Sequence, residues 1–169
     1  MSSKAVFLDR DGVINIDHGY LYKIEELEWM PGAKEALAYL TRQGYLIFVV
    51  TNQSGIARGY YTVQDMQKMH DFITREMAAA GARITKFYYC PHHPTKGIIP
   101  ELSIACNCRK PKPGLILQAF AEYDLAKEQC FLIGDKTSDV AAAEAAGIKG
   151  YLFSGGNLLA FVQKLVPGF

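Results

Sequence analysis

Asp9 and Asp11 stand on either side of Arg10 at the end of the apolar run Ala5-Val6-Phe7-Leu8, and Gly12 follows them. Residues two apart on an extended chain point the same way, so a strand ending here turns both carboxylates to one side. Alone, Asp-x-Asp-Gly is also the pattern of a solvated turn. Three other segments raise it above that. Leu46-Ile47-Phe48-Val49-Val50 ends in the neutral donors Thr51, Asn52, Gln53 and Ser54. Cys130-Phe131-Leu132-Ile133 ends in Gly134-Asp135-Lys136, and Arg109-Lys110-Pro111-Lys112 places cations before a further apolar segment. Acids, a hydroxyl and a lysine converging on one sheet edge are the groups that phosphoryl transfer requires.

Each role follows from the chemistry. Phosphate monoesters hydrolyse very slowly, so catalysis needs an activated nucleophile, charge neutralisation and a protonated leaving group together. Attack by Asp9 on phosphorus would form an aspartyl-phosphate and divide the reaction into two easier steps. Mg²⁺ held by Asp9 and Asp135 would cancel the repulsion between carboxylate and phosphate. Asp11 would protonate the leaving oxygen and later take a proton from the hydrolytic water. Thr51 and Lys110 would hold phosphoryl oxygens.

The elements that must position these groups are legible as a rhythm. Apolar, strand-sized runs fall at 4–8, 45–50, 84–89, 130–134 and 149–153. Between them helices are predicted over 31–43, with Pro31 in the first turn, then from a Thr62 cap, then over 113–124, 138–146 and 157–165. Met66, Met69, Ile73 and Met77 share one helical face and read as core. Strands alternating with helices predict a three-layer, Rossmann-like α/β fold around a central parallel sheet, as a single domain over 1–169. In such sheets ligands bind at the carboxyl ends of the strands. The C-terminal stretch Leu158 to Val162 would pack on its own sheet or on a neighbour.

Composition limits the partners. Eighteen Lys and Arg against 17 Asp and Glu, a net charge of +1, argue against nucleic acid and anionic membrane. Met1-Ser2-Ser3-Lys4 and the short run after it, cut by Asp9, Arg10 and Asp11, do not read as a secretory signal. No apolar stretch approaches the roughly 18 residues of a span. The expected location is the cytoplasm, the expected partner a small molecule, and the expected state a monomer.

The segment 90–112 breaks the rhythm, and a loop this long needs an organiser. Cys90-Pro91-His92 and Cys106-Asn107-Cys108 supply one: three thiols and an imidazole close a zinc tetrahedron with no open position, a structural site. Free thiols in a flexible loop are the alternative. Arg109 and Lys110 follow Cys108 directly, so fixing the loop would fix the cations. Cys130 reads as a buried small hydrophobe.

The segments Phe7 to Asn15, Thr51 to Gly59, Cys108 to Pro111 and Gly134 to Lys136 together closely resemble the haloacid-dehalogenase-type (HAD) phosphatases. Within them the chain resembles the D-glycero-D-manno-heptose 1,7-bisphosphate 7-phosphatases, relatives of the histidinol phosphatases. The resemblance covers residues 5 to about 153. It implies hydrolysis of the C7 phosphate on the way to nucleotide-activated heptose for surface polysaccharide, with Asp9 as nucleophile and Asp11 as acid and base. It places Mg²⁺ among Asp9, Asp135 and the backbone carbonyl of Asp11, and zinc on Cys90, His92 rather than His93, Cys106 and Cys108. It implies substrate contacts from Asp17, His18, Gly19, Tyr20, Asn52, Gln53, Ser54, Arg109 and Lys136, and a central first strand. The connections after the first two strands are too short for a cap domain. Asp17-His18-Gly19-Tyr20 and the undivided chain favour the sugar over histidinol phosphate. A catalytically dead, zinc-stabilised binding module would lack one of the groups that are all present here. Asp139 stays open between a supporting role at the metal and a helix N-terminal acid.

Overall fold

The computed structural model describes residues 2–168; Met1 and Phe169, the ends of the predicted domain, lie outside the described residues. The strands are β1 (Ser3–Leu8), β2 (Leu46–Asn52), β3 (Lys86–Cys90), β4 (Leu125–Gly134) and β5 (Lys149–Leu152). The helices are α1 (Ala33–Arg42), α2 (Val63–Ala79), α3 (Gly114–Glu122), α4 (Thr137–Ala145) and α5 (Leu158–Leu165). All strand pairs are parallel, in the order β3-β2-β1-β4-β5, so β1 is central between β2 and β4.

Side-chain alternation along β1 builds two cores. Val6 and Leu8 join Ile47, Val49 and Ile133 beneath α1, α2 and α5, while Ala5 and Phe7 join Phe48, Val50 and Leu132 beneath α3 and α4. This is the expected three-layer α/β fold, and it explains why the strands read as continuous apolar runs rather than alternating ones. Phe7 is wholly buried and stacks on Phe48 at 5.3 Å; truncating such a ring to Ala costs about 3–5 kcal/mol. Met66, Met69, Ile73 and Met77 are all buried, as their spacing predicts. Thr62 caps α2, its hydroxyl accepting from the Asp65 N–H while the Asp65 carboxylate accepts from the Thr62 N–H.

Two boundaries differ from expectation for a physical reason. Pro31 precedes α1 instead of opening it, and its carbonyl accepts from Leu158 N–H (2.8 Å), which starts α5. β4 begins at Leu125 rather than 130, because strand pairing asks nothing of side chains and Lys127, Glu128 and Gln129 are solvent-facing. The register shifts between Ser3 and Ala5 to accommodate them. α5 packs on α1 of its own chain, burying Leu158 and Val162.

Candidate active site

The central strands end together. Asp9 follows β1, Thr51 and Asn52 close β2, and Asp135 follows β4. Gly12 lets the chain after β1 run against β4: its φ is +90°, and a Cβ there would collide with the Asp135 carboxylate. Asp9, Asp135 and Asp139 each bring a carboxylate oxygen within 4.8 Å of the others. Lys110 pairs with two of them, buried, with Nζ 3.0 Å from Asp9 Oδ1, 2.5 Å from Asp139 Oδ1 and 2.9 Å from the Val50 carbonyl.

Three clustered carboxylates, two of them paired with one ammonium, leave uncompensated negative charge. Burial pushes the Asp9 carboxyl well above its usual range against the pull of Lys110, and Asp139 and Asp11 push it further up. Burial and Asp139 also raise Asp135, whose Oδ1 is buried without a hydrogen-bond partner. An unpaired buried oxygen inside a cluster of acids fits a hard divalent cation, which takes oxygen ligands. Asp139 therefore joins the cluster directly. Its Oδ2 also accepts from the Lys136 N–H (3.1 Å), so the same carboxylate belongs to the acid cluster and caps the first turn of α4.

Asp11 is placed otherwise. Its side chain lies outside the carboxylate cluster: Oδ1 accepts from Arg10 Nη2 (2.9 Å) and Asn15 Nδ2 (2.9 Å), and Oδ2 from Gln53 Nε2 (3.2 Å). Gln53 also donates to Thr51 Oγ1 (2.9 Å), and Tyr61 OH donates to Gln53 Oε1. Asn52 clamps the Lys110 backbone, accepting from its N–H at 3.1 Å and donating to its carbonyl at 3.4 Å.

Above these groups opens a cleft of about 560 Å³, within the usual range for metabolite sites. Asp9, Asp11, Asp17, Gly19, Tyr20, Asn52, Gln53, Ser54, Arg109, Lys110 and Lys136 all line it, whereas Thr51 is buried below. His18 is not brought to the cleft. It is solvent-facing and pairs with Glu28 at 3.2 Å, because Gly19 and Tyr20 both adopt positive φ and turn the loop there. Sequence reasoning did not single out Arg58 or Tyr61 as site residues, and both also line the cleft. Arg58 lies over the Tyr20 ring at 5.3 Å, and Arg58 Nε and Arg109 Nη1 are buried donors without protein acceptors. Arg58 stood in the motif segment Thr51 to Gly59, but nothing local marked its side chain as pointing inward.

Cys90 ends β3, and the loop returns Cys106 and Cys108 to it. The sulfurs of Cys90 and Cys106 lie 3.5 Å apart, and His92 Nδ1 is 3.6 Å from Cys90 Sγ and 3.4 Å from Cys108 Sγ. All four cysteines are free thiols, so no bridge closes the loop. Three sulfurs and a ring nitrogen within 4.8 Å of one another match the donor chemistry of a closed zinc site. Burial, hydrogen bonding and neighbouring thiols push Cys90 and Cys108 up. In Cys106 the Arg109 and Cys108 N–H groups outweigh burial and hold the thiol down. His93 is otherwise engaged, its Nδ1 accepting from the Thr95 and Lys96 N–H groups.

A family profile described as HAD-hydrolase-like matches residues 107–160. A D-glycero-beta-D-manno-heptose-1,7-bisphosphate 7-phosphatase of Rhodopseudomonas palustris is 43% identical over 162 residues, covering 96% of this chain and 89% of the relative. The alpha counterpart from Campylobacter jejuni is 47% identical over 148 residues, 88% of this chain and 80% of the relative. Among solved structures, a D,D-heptose 1,7-bisphosphate phosphatase from B. bronchiseptica, complexed with magnesium and phosphate, superposes with a TM-score of 0.82 at 31% identity, covering 96% of this chain and 98% of the other.

Proposed function

The chain belongs to the heptose-1,7-bisphosphate 7-phosphatase family of HAD-like hydrolases, and from that membership we propose that it removes the C7 phosphate of D-glycero-D-manno-heptose 1,7-bisphosphate. The observation that carries this reading is the Asp9, Asp135 and Asp139 cluster, two of its members paired with Lys110, under a cleft that also holds two unpaired arginine donors. One anionic end of a bisphosphate meets the cluster and the other meets Arg109, whose guanidinium grips phosphate bidentately.

Asp9 attacks phosphorus, the bond to the sugar oxygen breaks, and an aspartyl-phosphate forms. Asp11 gives its proton to the departing oxygen and then accepts one from the water that cleaves the acyl phosphate. Lys110 stays charged here, because Asp9 and Asp139 together outweigh the effect of its burial. That charge takes the phosphoryl oxygens, while the Thr51 hydroxyl, beneath the cleft, accepts from Gln53 Nε2. Mg²⁺, which Asp9, Asp135 and Asp139 would hold, supplies charge neutralisation when bound. Zinc on Cys90, His92, Cys106 and Cys108 would hold the loop that presents Arg109 and Lys110. The reading sets the reaction in the cytoplasm, where such thiols stay reduced, on a small-molecule substrate, by a monomer.

Phosphate release is measured with Mg²⁺ on the α and β anomers of the bisphosphate and on histidinol phosphate. Turnover of a heptose anomer, reduced about a thousandfold or more in Asp9→Asn, supports the assignment. Turnover of histidinol phosphate alone overturns the substrate and keeps the chemistry.

A further inference from the structure

Arg10 is the bulkiest of the fully buried side chains, 1% exposed, and the reaction outlined above gives it no task. A buried guanidinium is tolerated only when its donors are paired. Arg10 Nε and Nη2 point to Asp11 Oδ1 at 3.3 and 2.9 Å, and Nη2 also reaches the Leu21 carbonyl at 2.9 Å. Nη1 lies 3.2 Å from Nε2 of His70, a buried residue of α2.

Guanidinium has donors only, so His70 Nε2 accepts and the ring is neutral with its hydrogen on Nδ1. Burial, and then the Arg10 charge, hold the His70 pKa well below its ordinary value. The ring cannot swing away, since it stacks on Phe87 of β3 at 4.1 Å and 14°. His70 thus anchors the far end of the arginine whose near end grips Asp11.

The two oxygens of Asp11 differ as a result. Oδ1 receives Arg10 Nε, Arg10 Nη2 and Asn15 Nδ2, which leaves no lone pair for a proton. Oδ2 receives only Gln53 Nε2, and the Tyr61 hydroxyl fixes which face of that amide is turned to it. The geometry points to His70 as a positioning residue: through Arg10 it pins Asp11 Oδ1 and reserves Oδ2 as the oxygen that gives and takes the proton. This rests on the reading of Asp11 as general acid and base. Without an acceptor at position 70, Arg10 Nη1 is left unpartnered, the fork turns toward another acceptor, and Asp11 loses its orientation.

Acid catalysis matters most when the leaving oxygen is basic, so the loss depends on the leaving group. Phenyl and p-nitrophenyl phosphate are compared by rapid mixing, with the first-turnover rate and KM read for wild type, His70→Phe, His70→Gln and Asp11→Asn. Phe keeps the stack on Phe87 and removes the acceptor; Gln restores an acceptor. His70→Met replaces His70→Phe where thermal melting shows that the latter does not fold. Expected for His70→Phe is a roughly tenfold slower first turnover of phenyl phosphate, with p-nitrophenyl phosphate and KM within about twofold, since general acids supply about 10²–10⁴ in all. His70→Gln returns most of the rate. An equal loss on both substrates, or none, overturns the proposal. Asp11→Asn separates the two levels: the same selectivity there with a uniform loss in His70→Phe overturns the positioning role alone. No selectivity in Asp11→Asn overturns the acid reading and the proposal together.

Discussion

Two clusters of metal-binding character lie at the same edge of this sheet, and they are built in opposite ways. Asp9 and Asp135 stand on strand ends and Asp139 on the first turn of α4, with Lys110 as a resident counter-charge. Their positions come from the sheet. The Cys/His cluster has one member, Cys90, on a strand, and the other three lie in irregular chain that holds a single short 3-10 turn, Pro100–Leu102. Backbone ties from that loop to the body are few, chiefly Ile98 and Ile99 N–H to the Ala57 carbonyl at 2.8 and 3.1 Å. A scaffolded cluster can lose its ion and keep its shape, whereas a cluster that is itself the scaffold cannot.

The largest expected effect tests that contrast directly. Asp9→Asn removes the proposed nucleophile and is expected to lower turnover by about a thousandfold or more, yet it also removes an acid that burial disfavours, so Tm stays within a few degrees or rises. Cys108→Ser is expected to act in reverse: Tm falls, limited proteolysis cuts within 91–108, and KM rises about tenfold as Arg109 and Lys110 lose their support. Equal melting curves for the two variants would break the distinction between scaffolded and scaffolding clusters.

Arg109→Ala sits between the clusters and is the next effect in size. Its guanidinium is the group next to the Cys/His loop that faces the cleft, so KM for the bisphosphate rises about tenfold or more while KM for a monophosphate of similar size changes less than about threefold. Equal increases would remove the assignment of Arg109 to the second phosphate.

The smallest effect lies at the root of the loop. Lys86 and Tyr88 of β3 hold Glu122 of α3 at 2.8 and 2.6 Å and draw its pKa down to about 2. Because the folded value is depressed, the stability from this tie is present above the unfolded pKa of about 4.5 and is lost as pH falls through about 2. The Tm difference between wild type and Glu122→Gln is therefore greatest above pH 4.5 and closes toward pH 2. A constant difference across that range would show that the charge on Glu122 contributes nothing.

Much of the site was legible because strand ends are legible. An apolar run broken by Asp9, Thr51 or Asp135 identifies both the strand and the direction in which it stops, and a parallel sheet brings those stops together. The paired Cys spacings marked the loop because a long aperiodic segment with thiols at both ends has few ways to be ordered. His18 and Arg58 were not legible in this way. His18 sat in a segment with the right neighbours, but two positive-φ residues after it turn the backbone and leave it on Glu28. Arg58 carried no local sign that it would lie over the Tyr20 ring, since that contact joins residues far apart in the chain.

The residue pattern by itself determined the three-layer α/β fold and the candidate reacting groups, because hydrophobic period and chemistry are local properties that a chain carries wherever it folds. Only the tertiary structure decided that Asp139 joins the acids, that Asp11 stands apart with its two oxygens unequal, and that Arg10 reaches from one to His70. Those outcomes depend on where separate segments end up relative to one another, over distances of a few ångströms at which a buried charge finds a partner. No local spacing encodes them; packing of the sheet against α2 and α4 does.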